Sequence, residues 1–482
     1  MSHYDKYETV VGLEVHVQLK TATKAFCADD ATFGGEPNTH ISPISLGHPG
    51  TLPRLNKAQV KKAVKLGIAL DCAINKVNFF DRKNYFYADL PKGYQITQDN
   101  LPICKGGGLT IETKTGKKHI RLHHIHMEED AGKSIHDLDP AFSMIDLNRA
   151  GVPLLEVVTE PDMRSAEDAA QFVTELRKLV RYLDISDGNM EEGSIRCDCN
   201  VSVRLKGATE YGNRCEVKNV NSIRNAKRAI NHEVKRQIDL IENGGVVEQQ
   251  TRAFNADNGM TYLLRSKENA PDYRYFPEPD LPPVVLTESE ILAIQGEMPT
   301  LPKVLKQQFI KQYKLKPYDA AILTEEKAMA DYFLALIQHT KNYKAAANWL
   351  TNSIKAYLNQ ENIEIENFSV APKQIAELIQ LIDDNKVNQL AAKQQLFPAL
   401  VNQPLKKPAY LAKELNLIQD AKDDLVEQLL EQAIAKYPDK FAALKRGKKK
   451  FMGLFMGEVM RGAKGKANPK AITALIQKRL KG

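Results

Sequence analysis

The chain has 482 residues, a formal net charge of +7, 43% apolar residues and 26% charged residues. This is the composition of a soluble globular protein that is too long for one ordinary core, so we expect two to four domains. The N-terminus shows no signal for secretion or organelle import, and no apolar stretch is long enough to span a bilayer. We therefore expect a cytoplasmic protein whose six cysteines are reduced thiols. The single Trp argues against a typical aromatic-rich stacking surface.

The charge is unevenly distributed along the chain. Residues 441–482 contain twelve Lys or Arg and one acid, Glu458, so this tail carries +11 and the rest of the chain −4. A mildly acidic body with a basic tail indicates one contact with a polyanion at the tail. On charge alone, a solvated basic face is an equally good interpretation.

In the segment Thr9–Leu19, apolar residues occupy every odd position from Val11 onward. The odd positions are apolar, so a strand there places Glu14 and His16 side by side on its polar face. The same alternation indicates further strands near 119–128, 153–160, 194–205 and 213–220.

The segment Ser194–Leu205 repeats this pattern. Its polar face carries Arg196 and Asp198, and its apolar face carries Cys197 and Cys199. We interpret these cysteines as core residues rather than zinc ligands, because their side chains lie on the apolar face.

Apolar residues at three- and four-residue spacing predict helices near 57–70, 165–183 and 222–243, with Ser165 as the N-cap of the second. The proline-rich segment 271–283 indicates a fixed loop closing the first domain. Beyond about residue 295 the pattern is helical throughout, and prolines mark a joint near 405. Because strands and helices do not alternate regularly, we predict an α+β fold with domains over 1–294, 295–405 and 406–482.

Acids interrupt the otherwise apolar strands at Glu14, Glu156, Asp198 and Glu216, and a dense polar cluster spans residues 123–134. A carboxylate on such a strand is costly unless it is paired or binds a cation. Several acids with an imidazole and no nearby Cys pair suit a hard cation such as Mg²⁺, which ATP sites hold with carboxylates and phosphates. The alternative is a set of structural ion pairs with Arg82, Lys83, Arg149 and Arg196.

The chain carries no standard phosphate-binding loop. Gly132, Lys133 and Ser134 resemble the end of a Walker A motif, but Met127 stands where that motif needs Gly. The KGGG run at 105–108 is more typical of a hairpin turn than of a nucleotide site. ATP would therefore need a non-standard site. The sequence also lacks a G-x-S-x-G nucleophile motif.

Six motifs in order carry a resemblance to a known family. They are VGLEVHVQL (11–19), DRKNYFY (81–87), HMEEDAGK (126–133), DLNRAGVP (146–153), EEGSIRCD (191–198) and DYRYFPEP (272–279). The set closely resembles the B subunit of the aspartyl/glutamyl-tRNA amidotransferase (GatB). The segment FMGLFMGEVMRGAKGKANP (451–469) resembles the YqeY-like tail domain of that family. The resemblance covers essentially the whole chain.

The resemblance implies a catalytic cradle over 1–294, a helical linker domain over 295–405 and a tRNA-binding tail over 406–482. It also implies a heterotrimer with an amidase-type A subunit, which releases ammonia from glutamine, and a small C subunit. The B subunit would use Mg²⁺ and ATP to phosphorylate the side-chain carboxylate of Glu or Asp misacylated on tRNA. Ammonia would then displace the phosphate. Neither DNA nor a membrane is expected as a partner.

The resemblance also assigns residues to roles. The Mg²⁺ site is assigned to Glu14, His16, Glu128, Glu129 and Glu156. Catalytic roles are assigned to Glu129, Asp198, Glu216 and Lys218, of which Asp198 and Glu216 would contact a second metal or the substrate. Arg82, Lys83 and Lys218 are assigned to balance the negative charge of a phosphate or carboxylate, Arg82 and Lys83 as part of the ATP site. Contacts with tRNA phosphates are assigned to Lys448, Lys449, Lys450, Arg461, Lys464 and Lys466.

One stretch departs from the family pattern. Many members carry four cysteines that look like a zinc site, and here only Cys27 remains, with Asp29, Ser42 and Ser45 in the other places. A structural zinc site needs four good ligands, so we predict no zinc.

Two other functions remain open on sequence alone. One is a non-catalytic tRNA-binding scaffold whose acids are structural, and the other is a stand-alone metal-dependent hydrolase. The recurrence of the acids in family motifs favours the amidotransferase. The sequence does not tell whether Glu-tRNA, Asp-tRNA or both are substrates.

Overall fold

The computed structural model describes residues 3–136, 138–139, 141–266, 272–418, 423–463, 467 and 469–481. The chain divides into two compact units, Met1–Leu301 and Pro302–Gly482. The first unit is mixed α/β with one large sheet and the second is helical, so the α+β prediction is confirmed. Within the described residues, no helix has the length and apolar character needed to cross a membrane.

A ten-stranded sheet forms the centre of the first unit, with shorter sheets beside it. The strands are, in chain order, β1 (Tyr7–Gln18), β2 (Ala73–Ile74), β3 (Val77–Asn78), β4 (Asp81–Asn84), β5 (Tyr94–Thr97), β6 (Cys104–Lys105), β7 (Gly108–Thr113), β8 (Gly116–Glu129), β9 (Lys133–Ile135), β10 (Met144–Asp146), β11 (Pro153–Thr159), β12 (Ile195–Leu205), β13 (Cys215–Val220), β14 (Gln250–Phe254), β15 (Thr261–Ser266), β16 (Phe276–Pro277) and β17 (Val284–Val285). The large sheet has the order β15-β14-β13-β12-β1-β11-β8-β6-β2, and β7 also pairs with β8. The five strands predicted from alternation are confirmed.

The sheet is apolar on one face, and this face packs on helices. The helices of the first unit are α1 (Lys57–Ala69), α2 (Ala166–Tyr182), α3 (Ile223–Glu242) and α4 (Glu288–Gly296). Val11, Leu13, Val15 and Val17 of β1 are fully buried in the same core as the apolar sides of α1, α2 and α3. Because side chains alternate along a strand, the opposite face of β1 is left to its polar residues.

The predicted cap of α2 is confirmed. The Ser165 side chain accepts a hydrogen bond from the backbone N–H of Asp168 at 3.1 Å, which satisfies one of the free amides at the helix start. Ser222 caps α3 in the same way, through the backbone N–H of Asn225.

The KGGG segment is not a hairpin turn, so that interpretation was wrong. β6 and β7 both pair antiparallel with β8 in one continuous register, so the chain runs on beside β8 through Gly106 and Gly107 without reversing direction. Both glycines have positive φ, and a Cβ at Gly107 would lie 2.4 Å from the carbonyl oxygen of Leu70. Only glycine therefore fits at position 107.

The second unit is built from short helices. They are α5 (Pro302–Gln312), α6 (Pro317–Leu323), α7 (Lys327–Leu336), α8 (Tyr343–Asn348), α9 (Lys355–Glu361), α10 (Pro372–Asp383), α11 (Gln389–Ala391), α12 (Phe397–Asn402), α13 (Pro408–Glu414), α14 (Asp423–Lys436), α15 (Pro438–Lys445), α16 (Met452–Gly462) and α17 (Pro469–Lys481). Phe455, Val459, Ile472 and Ile476 belong to a core that α14, α16 and α17 share. The domain boundaries proposed at 294 and 405 stay predictions.

Candidate active site

Strand register brings chemically active side chains together on the polar face of the sheet. His126 of β8 lies opposite Glu156 of β11, which lies opposite His16 of β1, which lies opposite Arg196 of β12. Residues directly opposite in antiparallel strands point to the same side and touch. Four strands thus contribute one continuous row of two imidazoles, a carboxylate and a guanidinium.

Glu128, two residues beyond His126 on β8, completes a buried acid–imidazole cluster. The His16 Nε2 atom lies 3.6 Å from Glu128 Oε1 and 3.5 Å from Glu156 Oε2. The His126 Nε2 atom lies 3.4 Å from Glu128 Oε2 and 3.2 Å from Glu156 Oε2. We call these four residues the acid cluster. Ligand atoms of His16, Glu128 and Glu156 all lie within 4.8 Å of one another, close enough to share one cation.

The acid cluster balances its own charge. Burial alone lowers the pKa of each histidine, but the two carboxylates outweigh it and raise the pKa of His16 to about 9 and that of His126 to about 10. Burial alone raises the pKa of Glu156, yet the two imidazoles hold that pKa well below its usual range. In the absence of a metal, both histidines are therefore protonated at neutral pH.

A second group of acids lies beside the first on the same face. Lys218 is its centre, with its Nζ atom 2.8 Å from both Asp198 and Glu216. Glu14 completes the group and accepts a hydrogen bond from Asn200 at 2.9 Å. Burial lowers the pKa of Lys218, but its two carboxylate partners outweigh this and raise it above the ordinary value, so the ammonium is charged. We call this group the lysine cluster.

A pocket of about 850 Å³ opens over this face. His16, Glu128, Asp198 and Lys218 are among its lining residues, and so is Arg196. Its volume is within the range of small-molecule binding sites. Two residues of each cluster, His16 and Glu128 of the acid cluster and Asp198 and Lys218 of the lysine cluster, therefore face one shared space.

Arg196 is held at the pocket wall by a buried carboxylate. One of its terminal nitrogens donates to Asp130 Oδ2 at 2.6 Å, and Gln18 donates to the same oxygen at 2.6 Å. The Nε–H of Arg196 is buried and has no hydrogen-bond partner among the described residues. Buried donors are nearly always paired, so this atom is available to an anion in the pocket.

Glu129 does not join the acid cluster. Its carboxylate forms an ion pair with Lys92 and accepts the backbone N–H of Ile96 at 3.0 Å. Glu128 and Glu129 are consecutive on β8 and therefore point to opposite sides. The structure thus divides the five residues assigned to Mg²⁺, with three in the acid cluster, Glu14 in the lysine cluster and Glu129 in neither.

Arg82 and Lys83 have different surroundings. Arg82 donates two hydrogen bonds to the fully buried carboxylate of Glu278, at 2.7 and 2.9 Å, and a third to Asp280 at 3.0 Å. Lys83 lines the pocket. The structural ion pair that the sequence left as an alternative therefore exists at Arg82, and Lys83 has access to a ligand.

Hydrogen bonds hold the loop that contains Cys27, Asp29 and Ser45, where we predict no zinc. Ser45 donates to Asp29, and Cys27 Sγ lies 3.5 Å from Ser45 Oγ. The side chain of Lys24 is fully buried beside them and donates to Ser45 at 3.5 Å and to the carbonyl oxygen of Leu147 at 3.3 Å. Burial lowers the pKa of Lys24. The absence of zinc stays a prediction.

The basic residues assigned to tRNA are only partly described. Lys448, Lys449 and Lys450 are consecutive and exposed, and Arg461 forms an ion pair with Glu458 at 3.2 Å. Lys464 and Lys466 lie outside the described residues.

Two residues of the site, His126 and Arg196, were not assigned to it from the sequence. His126 belongs to the dense polar cluster of residues 123–134, and Arg196 lies on the polar face predicted for its strand. Alternation identified the face, but only the register between strands shows which polar residues meet. Cys197 and Cys199 are buried, so their interpretation as core residues is confirmed.

Comparison with known proteins identifies the family of the chain. Residues 9–292 match the model of the GatB/GatE catalytic domain, and residues 331–480 match that of the GatB domain. The chain is 46% identical over 474 residues to the B subunit of the aspartyl/glutamyl-tRNA(Asn/Gln) amidotransferase of Myxococcus xanthus, a match that covers 98% of each chain. It is 46% identical over 476 residues to the B subunit of the same enzyme from Thermodesulfovibrio yellowstonii, covering 99% of this chain and 100% of that one.

The first unit, with its one-sided sheet and polar pocket, is thus a catalytic domain of the GatB/GatE type. With the second match over the helical unit, the chain belongs to the GatB family, as the sequence motifs indicated.

Proposed function

We propose that this chain is the B subunit of a tRNA-dependent amidotransferase and that its sheet pocket activates the side-chain carboxylate of Glu or Asp misacylated on tRNA. The observation that carries the proposal is the row of acids, imidazoles and cations across four strands of a GatB-type domain. Activation consists of phosphorylation by ATP, and ammonia from an amidase-type A subunit then forms Gln or Asn. A small C subunit completes the heterotrimer.

The acid cluster fits a magnesium ion. Two carboxylates and one imidazole without a thiolate form a donor set for a hard cation. His16, Glu128 and Glu156 would hold the ion, which neutralises phosphate charge during phosphoryl transfer. The lysine cluster fits a cation less well, because the Lys218 ammonium already supplies the positive charge there. We assign that cluster to substrate contact.

The remaining residues bind and orient the reactants. The unpaired Nε–H of Arg196 and the ammonium of Lys218 are donors for a carboxylate or a phosphoryl oxygen in the pocket. A carboxylate oxygen attacks the γ-phosphorus of ATP, and ADP leaves. Ammonia then attacks the carbonyl carbon of the acyl phosphate, the C–O bond breaks and phosphate leaves with that oxygen. No protein nucleophile is needed.

One alternative has a specific observation in its favour. The ion pairs of Glu129 with Lys92 and of Arg82 with Glu278 are those expected of a scaffold whose acids are structural. Against this alternative, His16 and Glu128 of the acid cluster line the same pocket as Asp198 and Lys218, where a ligand can reach them.

The metal assignment predicts which acids affect cation binding. With Mn²⁺ as a paramagnetic probe for Mg²⁺, Glu156→Gln and Glu128→Gln in the full chain should each weaken binding by about tenfold or more, because each removes a charged ligand. Glu129→Gln is the matched control and should bind like wild type, because its carboxylate points away. Equal loss in Glu129→Gln, or no loss in the other two, contradicts the assignment.

The activity is tested in the reconstituted three-subunit complex. Glu156→Gln should lower ATP-dependent conversion of Glu-tRNA to Gln-tRNA by about a hundredfold or more, equivalent to about 2.7 kcal/mol of barrier. The loss should be the same with glutamine or with ammonia, because the defect lies after ammonia release. Glu175→Gln on α2 is a control that should retain activity. Full activity of Glu156→Gln would favour the scaffold.

We also propose that the consecutive lysines of the tail bind tRNA phosphates. Replacement of all three by Ala should weaken tRNA binding and reduce its salt dependence by about one unit of log–log slope for each phosphate that is no longer neutralised. The exposed residues Lys311, Lys314 and Lys316 of the same unit provide a matched triple Ala control. The assignment fails if both triple variants bind tRNA alike across a salt titration.

A further inference from the structure

Side-chain amides hold the C-terminal end of β8 on the edge where strand pairing stops. β6 pairs with β8 at residues 124 and 125, and among the described residues no strand pairs with residues 127–129 on this edge. The Gln98 Oε1 atom accepts the backbone N–H of Met127 at 3.0 Å, and Gln95 donates to the carbonyl oxygen of Glu129 at 2.7 Å. These two glutamines therefore supply the hydrogen bonds that a neighbouring strand would otherwise make.

Gln98 is held firmly in this position. It is buried, and its Oε1 atom also accepts the backbone N–H of Ile103 at 3.2 Å. Its Nε2 atom donates to Asn78 Oδ1 at 2.7 Å and to the carbonyl oxygen of Phe79 at 3.4 Å. Because both N–H donors and the acceptor oxygen of the amide are engaged, a rotation of this side chain would break several bonds at once. Gln98 thus fixes the β8 backbone between two members of the acid cluster.

A third glutamine fixes the backbone of Glu128 from the helical side of the sheet. Gln59 of α1 is fully buried and donates to the carbonyl oxygen of Glu128 at 2.9 Å. Glu128 is also paired with Leu154 of β11. With the backbone held by these contacts, the direction of the Glu128 carboxylate depends on the groups that contact its two oxygens.

Thr97, the last residue of β5, contacts one of these oxygens. Its hydroxyl is buried and donates to Glu128 Oε2 at 3.3 Å. The His126 Nε2 atom lies 3.4 Å from the same oxygen, whereas the His16 Nε2 atom lies 3.6 Å from Glu128 Oε1. The two oxygens of this carboxylate therefore have different surroundings. Thr97 competes with a cation for Oε2 and leaves Oε1 directed towards His16.

This difference affects which cation suits the acid cluster. Ca²⁺ takes more oxygen ligands than Mg²⁺ and often binds both oxygens of one carboxylate, whereas Mg²⁺ is smaller and requires near-octahedral geometry. Selectivity between the two ions depends on the number and the mobility of the oxygens that the protein offers. A fixed carboxylate with one oxygen already engaged by the protein suits the smaller ion.

We propose that Thr97 is a specificity-determining residue that keeps Glu128 Oε2 from the cation and so favours Mg²⁺ over Ca²⁺ in the acid cluster. This inference rests on the proposed function, which assigns a magnesium ion to that cluster. Thr97 acts through Glu128, so it is a positioning residue. Gln59 and Gln98 make its single hydroxyl effective, because they prevent the backbone of β8 from shifting when the larger ion binds.

Competition against Mn²⁺ in the full chain tests the proposal. The Mn²⁺ that binds to wild type but not to Glu156→Gln reports the acid cluster, and it is displaced by Mg²⁺ in one titration and by Ca²⁺ in another. Thr97→Val removes the hydroxyl at nearly constant volume. It should lower the ratio of Mg²⁺ affinity to Ca²⁺ affinity about tenfold, because Oε2 becomes free for the larger ion. Thr97→Ser keeps the hydroxyl and should retain the wild-type ratio.

The affinity ratio separates specificity from stability, because a general loosening of the fold weakens the binding of both ions. Thr324→Val is the matched control, since Thr324 is fully buried and its hydroxyl donates to the carbonyl oxygen of Ala320 at 2.8 Å in the second unit. Its affinity ratio should equal that of wild type. Thr97→Ala is the second test variant if Thr97→Val lowers the melting temperature.

The outcomes are separate from those for the proposed function, because cation competition requires neither tRNA nor ATP. An unchanged ratio in Thr97→Val and Thr97→Ala, or a lowered ratio in Thr97→Ser, overturns the role of Thr97. If the ratio falls as expected but the wild-type complex forms no Gln-tRNA or Asn-tRNA, the role of Thr97 stands and the proposed amidation fails. If wild type binds no Mn²⁺ that Glu156→Gln loses, the magnesium assignment fails and the role of Thr97 fails with it.

Discussion

The structure depends on one constraint, the antiparallel register of β1 between β11 and β12. This register places His16 between Glu156 and Arg196, and Glu14 beside Asp198. The same strand buries Val11, Leu13, Val15 and Val17 against the helices, so a one-residue slip would put polar side chains in the core. The hydrophobic core therefore fixes the geometry of the site, because the residues that hold the register alternate with those that line the pocket.

Electrostatic balance then determines what this face can do. In the acid cluster, two imidazoles compensate the negative charge of two carboxylates. In the lysine cluster, one ammonium lies between two carboxylates. Neither cluster is a simple pair, and burial keeps the interactions strong. A cation that binds in the acid cluster competes with the protons on the histidines, whereas the lysine cluster keeps its charge. Two adjacent environments with different affinity for cations suit a reaction that joins a phosphate donor to a carboxylate.

Much of the fold was predictable from the sequence, because its long strands and helices have clear periods. The strand predicted from Thr9 is observed as Tyr7–Gln18, and the cap at Ser165 is observed where it was expected. The assignment of individual acids was not predictable. Glu128 and Glu129 are adjacent, and which of them faces the pocket depends on the pairing of β8 with β11. Periodicity within one strand carries no information about its neighbours.

Contacts distant in sequence were also beyond prediction. Arg82 and Glu278 are 196 residues apart, and nothing local marks them as partners. Tyr85 and Tyr273 come from two separate motifs, yet their ring centroids lie 6.1 Å apart. The glycine segment at 106–107 looked like a hairpin turn because local sequence indicates a break in the strand but not whether the chain reverses. In each case the local sequence pattern was insufficient, because the arrangement is determined by tertiary contacts.

The most direct test of the central claim follows oxygen during catalysis. Glu-tRNA labelled with ¹⁸O in both side-chain carboxylate oxygens is converted by the three-subunit complex with unlabelled ATP and ammonia. Activation by phosphorylation predicts that each amide formed releases one phosphate carrying one ¹⁸O atom. Glu156→Gln should abolish this labelled phosphate. Phosphate without label, at a normal yield of Gln-tRNA, would contradict carboxylate phosphorylation in this pocket.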